Sequence, residues 1–164
     1  MKIMELNRQY ASKASRLVNA VFSDEEEEVF PARELEASLD PGMLRKYQAV
    51  VDASIRSFQY YIAVNGEDVL GIIGLYEMEE DYQQNDWVGW YCVDEQYRGQ
   101  KVGIRLLEHV IEKARERGKA NLCLYTSNHA REAKAQILYD RNHFHVTRIE
   151  PKDGYHLMYR KRVL

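Results

Sequence analysis

The sequence predicts an α/β fold, with helices packed on the faces of one mixed sheet. Three observations carry this. Apolar, strand-like residues run on both sides of Asn65-Gly66, the mark of an antiparallel hairpin. Residues 87–126 read as strand, amphipathic helix, strand, which calls for a parallel crossover. Two last strand patterns flank Asp153-Gly154 and close the chain as a second hairpin.

Taken in order, Ile3 to Leu6 is a short first strand. Asn7 can cap a helix whose apolar residues Ala11, Ala14, Leu17, Val18 and Val21 recur at the helical period. The acidic run Asp24–Glu28 interrupts the pattern, and Pro31 suits the first turn of a second helix that reaches about Leu39. Asp40-Pro41-Gly42 reads as a turn, with further helix from Met43 to Ile55. Phe58–Val64 and Val69–Met78 are the first hairpin, and Asp86–Val93 is the next strand. A helix from about Gly103 to Arg117 carries Leu107, Val110, Ile111 and Ala114 on one face and stops at Gly118. Asn121–Thr126 is a strand, Arg131–Arg141 a helix, and His145–Ile149 with Tyr155–Tyr159 the closing pair. The order is βααβββαβαββ, in one domain spanning residues 1–164.

The 164 residues carry 23 basic and 26 acidic side chains, a net charge of −3. A nucleic-acid partner calls for a basic surplus or stripe, and neither is present. No apolar run approaches the length of a membrane helix, and the start of the chain has no secretory pattern. Cys92 and Cys123 lie in apolar strands and read as buried free thiols of a reducing cytoplasm. No spacing of Cys, His and carboxylates suggests a metal. His143 and His145 read as surface or packing residues.

The chemistry-bearing stretch runs Val93-Asp94-Glu95-Gln96-Tyr97-Arg98-Gly99-Gln100-Lys101-Val102-Gly103-Ile104. A strand ends, a glycine-containing polar loop follows, and an amphipathic helix begins. The unpaired amides and positive dipole end of such a helix suit a phosphate, and Arg98 and Lys101 add cations. The spacing fits neither a Walker A loop nor a dinucleotide fingerprint.

The stretch resembles the acyl-CoA loop of the GNAT family of N-acetyltransferases, Arg/Gln-x-x-Gly-x-Gly/Ala. Arg98, Val102, Gly103 and Leu106-Leu107 fall in register, while Lys101 stands where the family has its first glycine. A second segment, Arg131 to Phe144, is similar to the family's Ala-x-x-Leu-Tyr helix ending in Gly-Phe. Tyr139 and Phe144 match it, His143 replaces the glycine, and Glu132 stands where many relatives carry Asn. The resemblance spans essentially the whole chain.

It implies acetyl-CoA as cosubstrate, in a gap where the fourth and fifth strands splay apart. The backbone of Tyr91, Cys92 and Val93 would pair with the pantetheine arm. Arg98, Gly99, Gln100, Lys101, Val102, Gly103 and Ile104 would cradle the pyrophosphate. A primary amine, small or on a peptide or protein, would attack the thioester directly. The N–H of Cys92 or Val93 would hold the oxyanion, and Tyr139 would protonate the leaving thiolate. Lys101 either crowds the pyrophosphate or supplies it a cation. Glu77, Glu79, Glu80 and Asp86 flank the third and fourth strands, where any could act as base, directly or through water, or be solvated only. The run Asp24–Glu28 is either a solvated loop or an attractor of a cationic amine. The resemblance also allows a homodimer.

Two further readings compete. The three departures, Lys101, Glu132 and His143, fit a non-catalytic acyl-CoA-binding or regulatory module on the same fold, against which Tyr139 speaks. The aromatic strands would also suit an interaction domain.

Overall fold

Five helices and seven strands follow in the order βαααβββαβαββ in a computed structural model that describes residues 1–24 and 28–164. The strands are β1 (Lys2–Glu5), β2 (Ile55–Asn65), β3 (Asp68–Met78), β4 (Asn85–Val93), β5 (Asn121–Ser127), β6 (His145–Lys152) and β7 (Tyr155–Val163). The helices are α1 (Arg8–Phe22), α2 (Ala32–Leu39), α3 (Pro41–Val50), α4 (Val102–Glu116) and α5 (Ala133–Arg141).

Local chemistry sets these boundaries. Asn7 Oδ1 accepts from Gln9 N at 3.0 Å and starts α1. Gly118, at φ +74°, ends α4, with its own N–H on Arg115 O at 2.9 Å and that of Lys119 on Ala114 O at 3.0 Å. One boundary corrects the sequence reading. Asp40-Pro41-Gly42 is the start of a separate third helix: Asp40 Oδ1 accepts from Gly42 N at 2.8 Å and Met43 N at 3.1 Å, with Pro41 in the first turn. That helix ends at Val50, where Asp52 takes over the backbone by accepting from Ser54 N at 2.9 Å. Ile55 is therefore the first residue of β2.

The sheet order is β1-β2-β3-β4-β5-β7-β6. Every pairing is antiparallel except that of β4 with β5. One face carries α4 and α5 on a core including Leu106, Leu107, Val110, Leu122, Leu124 and Phe144. The other carries α1 and α2 on a core including Leu17, Val18, Leu35, Ile62 and Ile72. Cys92 and Cys123 are buried and unpaired, as expected. Among the described residues, no helix is long and apolar enough to cross a membrane and no group of side chains could hold a metal ion.

Candidate active site

The two central strands separate. β4 and β5 pair only through Asn85↔Asn121, Asp86↔Leu122 and Trp87↔Cys123. Beyond those rungs a gap opens between residues 88–93 and 124–127. The gap-facing amides follow from the register. Asp94 N donates to Leu70 O at 2.9 Å, and Cys92 lies opposite Ile72. Backbone direction alternates along a strand, so the Cys92 N–H points at β3, and those of Tyr91 and Val93 point into the gap. Of the two amides expected to face an oxyanion, the geometry therefore favours Val93 over Cys92. Burial pushes the Cys92 thiol up to about 12, so it stays neutral and serves as packing.

At the mouth of the gap lies the loop into α4. Asp94 Oδ1 accepts from Gln96 N at 2.9 Å and fixes a short 3₁₀ turn, after which Gly99 takes φ +78° and Lys101 φ +63°. Lys101 thus adopts the left-handed conformation that a glycine would take. Among the described residues, the backbone N–H groups of 99–104 find no hydrogen-bond partner. This is a run of free donors at a helix start. The side chains of Arg98 and Lys101 are exposed beside it, and Arg98 Nε reaches Val93 O at 3.4 Å. Gln100 Nε2 donates back to Gln96 O at 3.3 Å. Val102 is buried in the core and anchors the helix, while Ile104 is half-buried. Gly103 has a packing role as well: a Cβ there would lie 3.2 Å from Tyr91 Oη and 3.4 Å from Val93 Cγ2. Tyr91 Oη donates to Gly103 O at 2.8 Å, locking α4 onto β4.

Tyr139, on α5, is buried in the core of the α4–α5 face beside Tyr91 of β4. Its ring centroid lies 6.4 Å from that of Tyr91 and 5.8 Å, edge-on, from that of Phe144. The helix end holds it there. His143 takes φ +63°, Phe144 N donates to Tyr139 O at 3.0 Å, and His143 N to Asp140 O at 3.2 Å. This is a Schellman end with histidine in the glycine position. From β7, buried Arg160 reaches Asp140 Oδ1 at 2.6 Å, Phe144 O at 3.0 Å and Gln136 Oε1 at 2.7 Å, bracketing Tyr139. The Tyr139 hydroxyl itself has no hydrogen-bond partner among the described residues. Burial, with the Glu132 charge, pushes its pKa well above that of free tyrosine, so it holds its proton. Glu132 accepts from Thr126 Oγ1 and, at 2.7 Å, from Ser127 N. It braces the end of β5.

The expected bases do not gather at the gap. Glu77 and Asp86 lie at its closed end, in a cluster with Arg117 and Lys119. Arg117 Nη2 is 2.9 Å from Glu77 Oε1 and 3.2 Å from Asp86 Oδ1, and Lys119 Nζ is 2.6 Å from Glu77 Oε1. Asp86 is fully buried, and desolvation outweighs its cationic neighbours, pushing its pKa up to about 6. Glu77 is desolvated too, but direct bonds from Lys119, Ser57 and Arg117 prevail and hold it down at about 2. Glu79 is exposed and paired with Arg56 at 3.1 Å, and Glu80 is exposed. In the acidic run, Asp24 Oδ2 pairs with Arg131 Nη1 at 2.7 Å, Glu28 is exposed, and Glu25–Glu27 lie outside the described residues.

A carboxylate that sequence reasoning missed is Glu34, in the first turn of α2. Tyr47 Oη donates to its Oε1 at 3.4 Å, and its Oε2 is buried with no partner. Burial pushes its pKa up, against its own backbone amide, the Trp90 indole and Tyr47. The only signal in the sequence is an acidic residue at the start of an amphipathic helix, which solvent-facing glutamates share.

The acetyltransferase (GNAT) domain model matches residues 56–146. Among solved structures, a GNAT-family protein from Desulfovibrio desulfuricans aligns over 99% of this chain and 98% of its own, with 16% identity and TM-score 0.75. An aminoglycoside 6'-N-acetyltransferase complexed with coenzyme A aligns over 99% and 97%, with 16% identity and TM-score 0.74. Ribosomal-protein-alanine N-acetyltransferase from Brucella melitensis aligns over 100% of both chains, with 20% identity and TM-score 0.71. At these identities the likeness is one of fold. No curated protein matches significantly.

Proposed function

The chain belongs to the GNAT acetyltransferase family, and from that premise we propose that it is an acetyl-CoA-dependent N-acetyltransferase acting on a primary amine, as one domain in a reducing cytoplasm. The observation that carries the reading is the gap between β4 and β5, with the free amides of 99–104 at its mouth and the unspent Tyr139 hydroxyl beside it. A neighbour of the same fold is complexed with coenzyme A, which supports the same ligand here.

Acetyl-CoA supplies an acetyl group activated as a thioester. The residues of the chain do the rest. The amides of 99–104, with the exposed Arg98 and Lys101, bind the pyrophosphate. The backbone of Tyr91 and Val93 offers the pantetheine arm the hydrogen bonds of an added strand. The Val93 N–H stabilises negative charge as it develops on the carbonyl oxygen during attack by the amine. Tyr139, kept neutral by burial, gives its proton to the departing sulfur.

The test is release of CoA thiol from acetyl-CoA against a panel of primary amines. Amine-dependent release is the expected result. CoA binding without release for any amine would favour the acyl-CoA-binding module instead.

A further inference from the structure

Tyr139 sits on the α4–α5 face of the sheet, and Glu34 lies against the opposite one. Trp90 packs into the core of the α1–α2 face, and the next residue, Tyr91, turns its amide into the gap. The Glu34 carboxylate meets the Trp90 indole and the Tyr47 hydroxyl. Tyr125, across the gap on β5 and 54% exposed, has its pKa raised chiefly by desolvation, then by Tyr159, with Glu34 as the smallest influence. Phe22 from α1 stacks at a tilt on Trp90, ring centroids 5.3 Å apart. A carboxylate therefore lies among partly exposed aromatic rings that reach from β4 towards β5.

This carboxylate is under-used. Oε2 is buried and unbonded, a costly state for a charged oxygen. Among the described residues, no cationic side chain forms an ion pair with it. Arg33, its sequence neighbour, acts only as the smallest of its electrostatic influences. The Glu34 amide, the Trp90 indole and Tyr47 all bond to the carboxylate, yet Oε2 is left without a partner, and a cation arriving with the substrate would supply one. Aromatic faces favour the same cation and an apolar body attached to it.

We propose that Glu34 is the acceptor-binding carboxylate: it receives the ammonium group of a cationic primary amine whose apolar or aromatic body lies against Trp90 and Phe22, and it takes the first proton from that nitrogen. This rests on the acetyltransferase reading and narrows its substrate class. The balance is simple. The ammonium gives one proton to Glu34, and the neutral nitrogen forms the C–N bond as the C–S bond breaks. The second proton lost by nitrogen offsets, through solvent, the one Tyr139 delivers to sulfur. One proton is released per turnover.

The test compares 2-phenylethylamine with its neutral analogue 2-phenylethanol by calorimetry, on protein saturated with CoA, and follows acetylation of the amine by thiol release. Wild type should bind the amine at least ~10-fold more tightly than the alcohol. Glu34→Gln should lose about 30-fold in amine affinity and at least as much in kcat/KM, with alcohol binding and the KM for acetyl-CoA unchanged. Glu34→Asp keeps the charge but withdraws it by one methylene, so it should fall between the two. It also serves should the Gln variant misfold. Equal amine affinity in wild type and both variants, or a wild type that binds the amine no better than the alcohol, overturns the proposal. A wild type that acetylates other amines while the Glu34 variants match it overturns this assignment alone. One that binds CoA but acetylates nothing overturns the acetyltransferase reading.

Discussion

Lys101→Gly asks what the departure from the family's glycine does. Lys101 holds φ +63° and ψ +11°, and no side-chain cap bond ties it there. A non-glycine residue pays about 1–2 kcal/mol for that conformation. Glycine escapes this cost but gives back about 0.5–1 kcal/mol of chain entropy on folding. The difference leaves the variant more stable by about 0.5–1 kcal/mol, a rise in Tm of about 1–4 °C for a chain of this length. The ammonium group, in contrast, is exposed beside the free amides of 99–104. If it meets a phosphate, its removal should weaken CoA binding about 3- to 5-fold at low salt, with the loss shrinking as the Debye length shortens. Urea denaturation reads the first effect and calorimetry with CoA at two salt concentrations the second. Lys101→Asn, which tolerates the same backbone without the charge, should reproduce the loss of affinity. A fall in stability would refute the backbone argument. Unchanged or tighter CoA binding would refute the role of the charge.

Tyr139→Phe should lower kcat on the order of 10²-fold in a chemistry-limited assay and leave CoA affinity unchanged, since only an unbonded hydroxyl is lost. Gly103→Val should lower stability by about 1–3 kcal/mol even without CoA, read by denaturant midpoint, because its side chain would enter the space held by Tyr91 Oη and Val93. Asp86 binds a proton in the folded state near pH 6, against an ordinary value of 3.8. Folding is thus favoured when Asp86 is protonated, and that advantage fades as pH rises through about 6. Measured against Asp86→Asn, wild type should gain on the order of 3 kcal/mol between pH 7 and pH 4, and parallel stability profiles would sink the idea. Glu77 shifts the other way, so its contribution is present above about pH 4.5 and is lost as pH falls towards 2.

The elements most legible in the sequence were those with a local code. Asn65-Gly66 and Asp153-Gly154 each stand at a hairpin turn, and the loop into α4 announces itself by its glycines and cations. Tyr139 is legible through its helix motif, and His143 is legible as the residue in the motif's glycine position, where it takes the left-handed conformation. The start of α3 was hidden because Asp-Pro-Gly serves a turn and a capped helix equally well; only the bonds from Asp40 to Gly42 and Met43 decide. The position of Asp86 relative to the gap was not legible because strand register, not proximity in sequence, sets which end of β4 a residue occupies. Asp86 lies at the paired end and Tyr91 at the open one. Glu34 was invisible because its neighbours Tyr47 and Trp90 come from α3 and β4, and nothing local distinguishes it from the exposed Glu36 on the same helix.

Pairing β4 to β5 through so few rungs gives the sheet two additional borders in its interior. The outer borders are defended against stray strands in the usual ways. β1 is only 4 residues long, and β6 carries Arg148, Glu150, Pro151 and Lys152. The inner borders carry no such defence: Tyr91 to Val93 on one side and Leu124 to Ser127 on the other are mostly apolar or neutral. Their protection is enclosure, by α4 and α5 on one face and by α1 and α2 on the other. A border guarded by walls instead of charges rejects a bulky intruder but admits a thin, amide-bearing chain. The same arrangement leaves the Tyr91 and Val93 amides as rapid exchangers at the centre of the sheet until such a chain fills the slot.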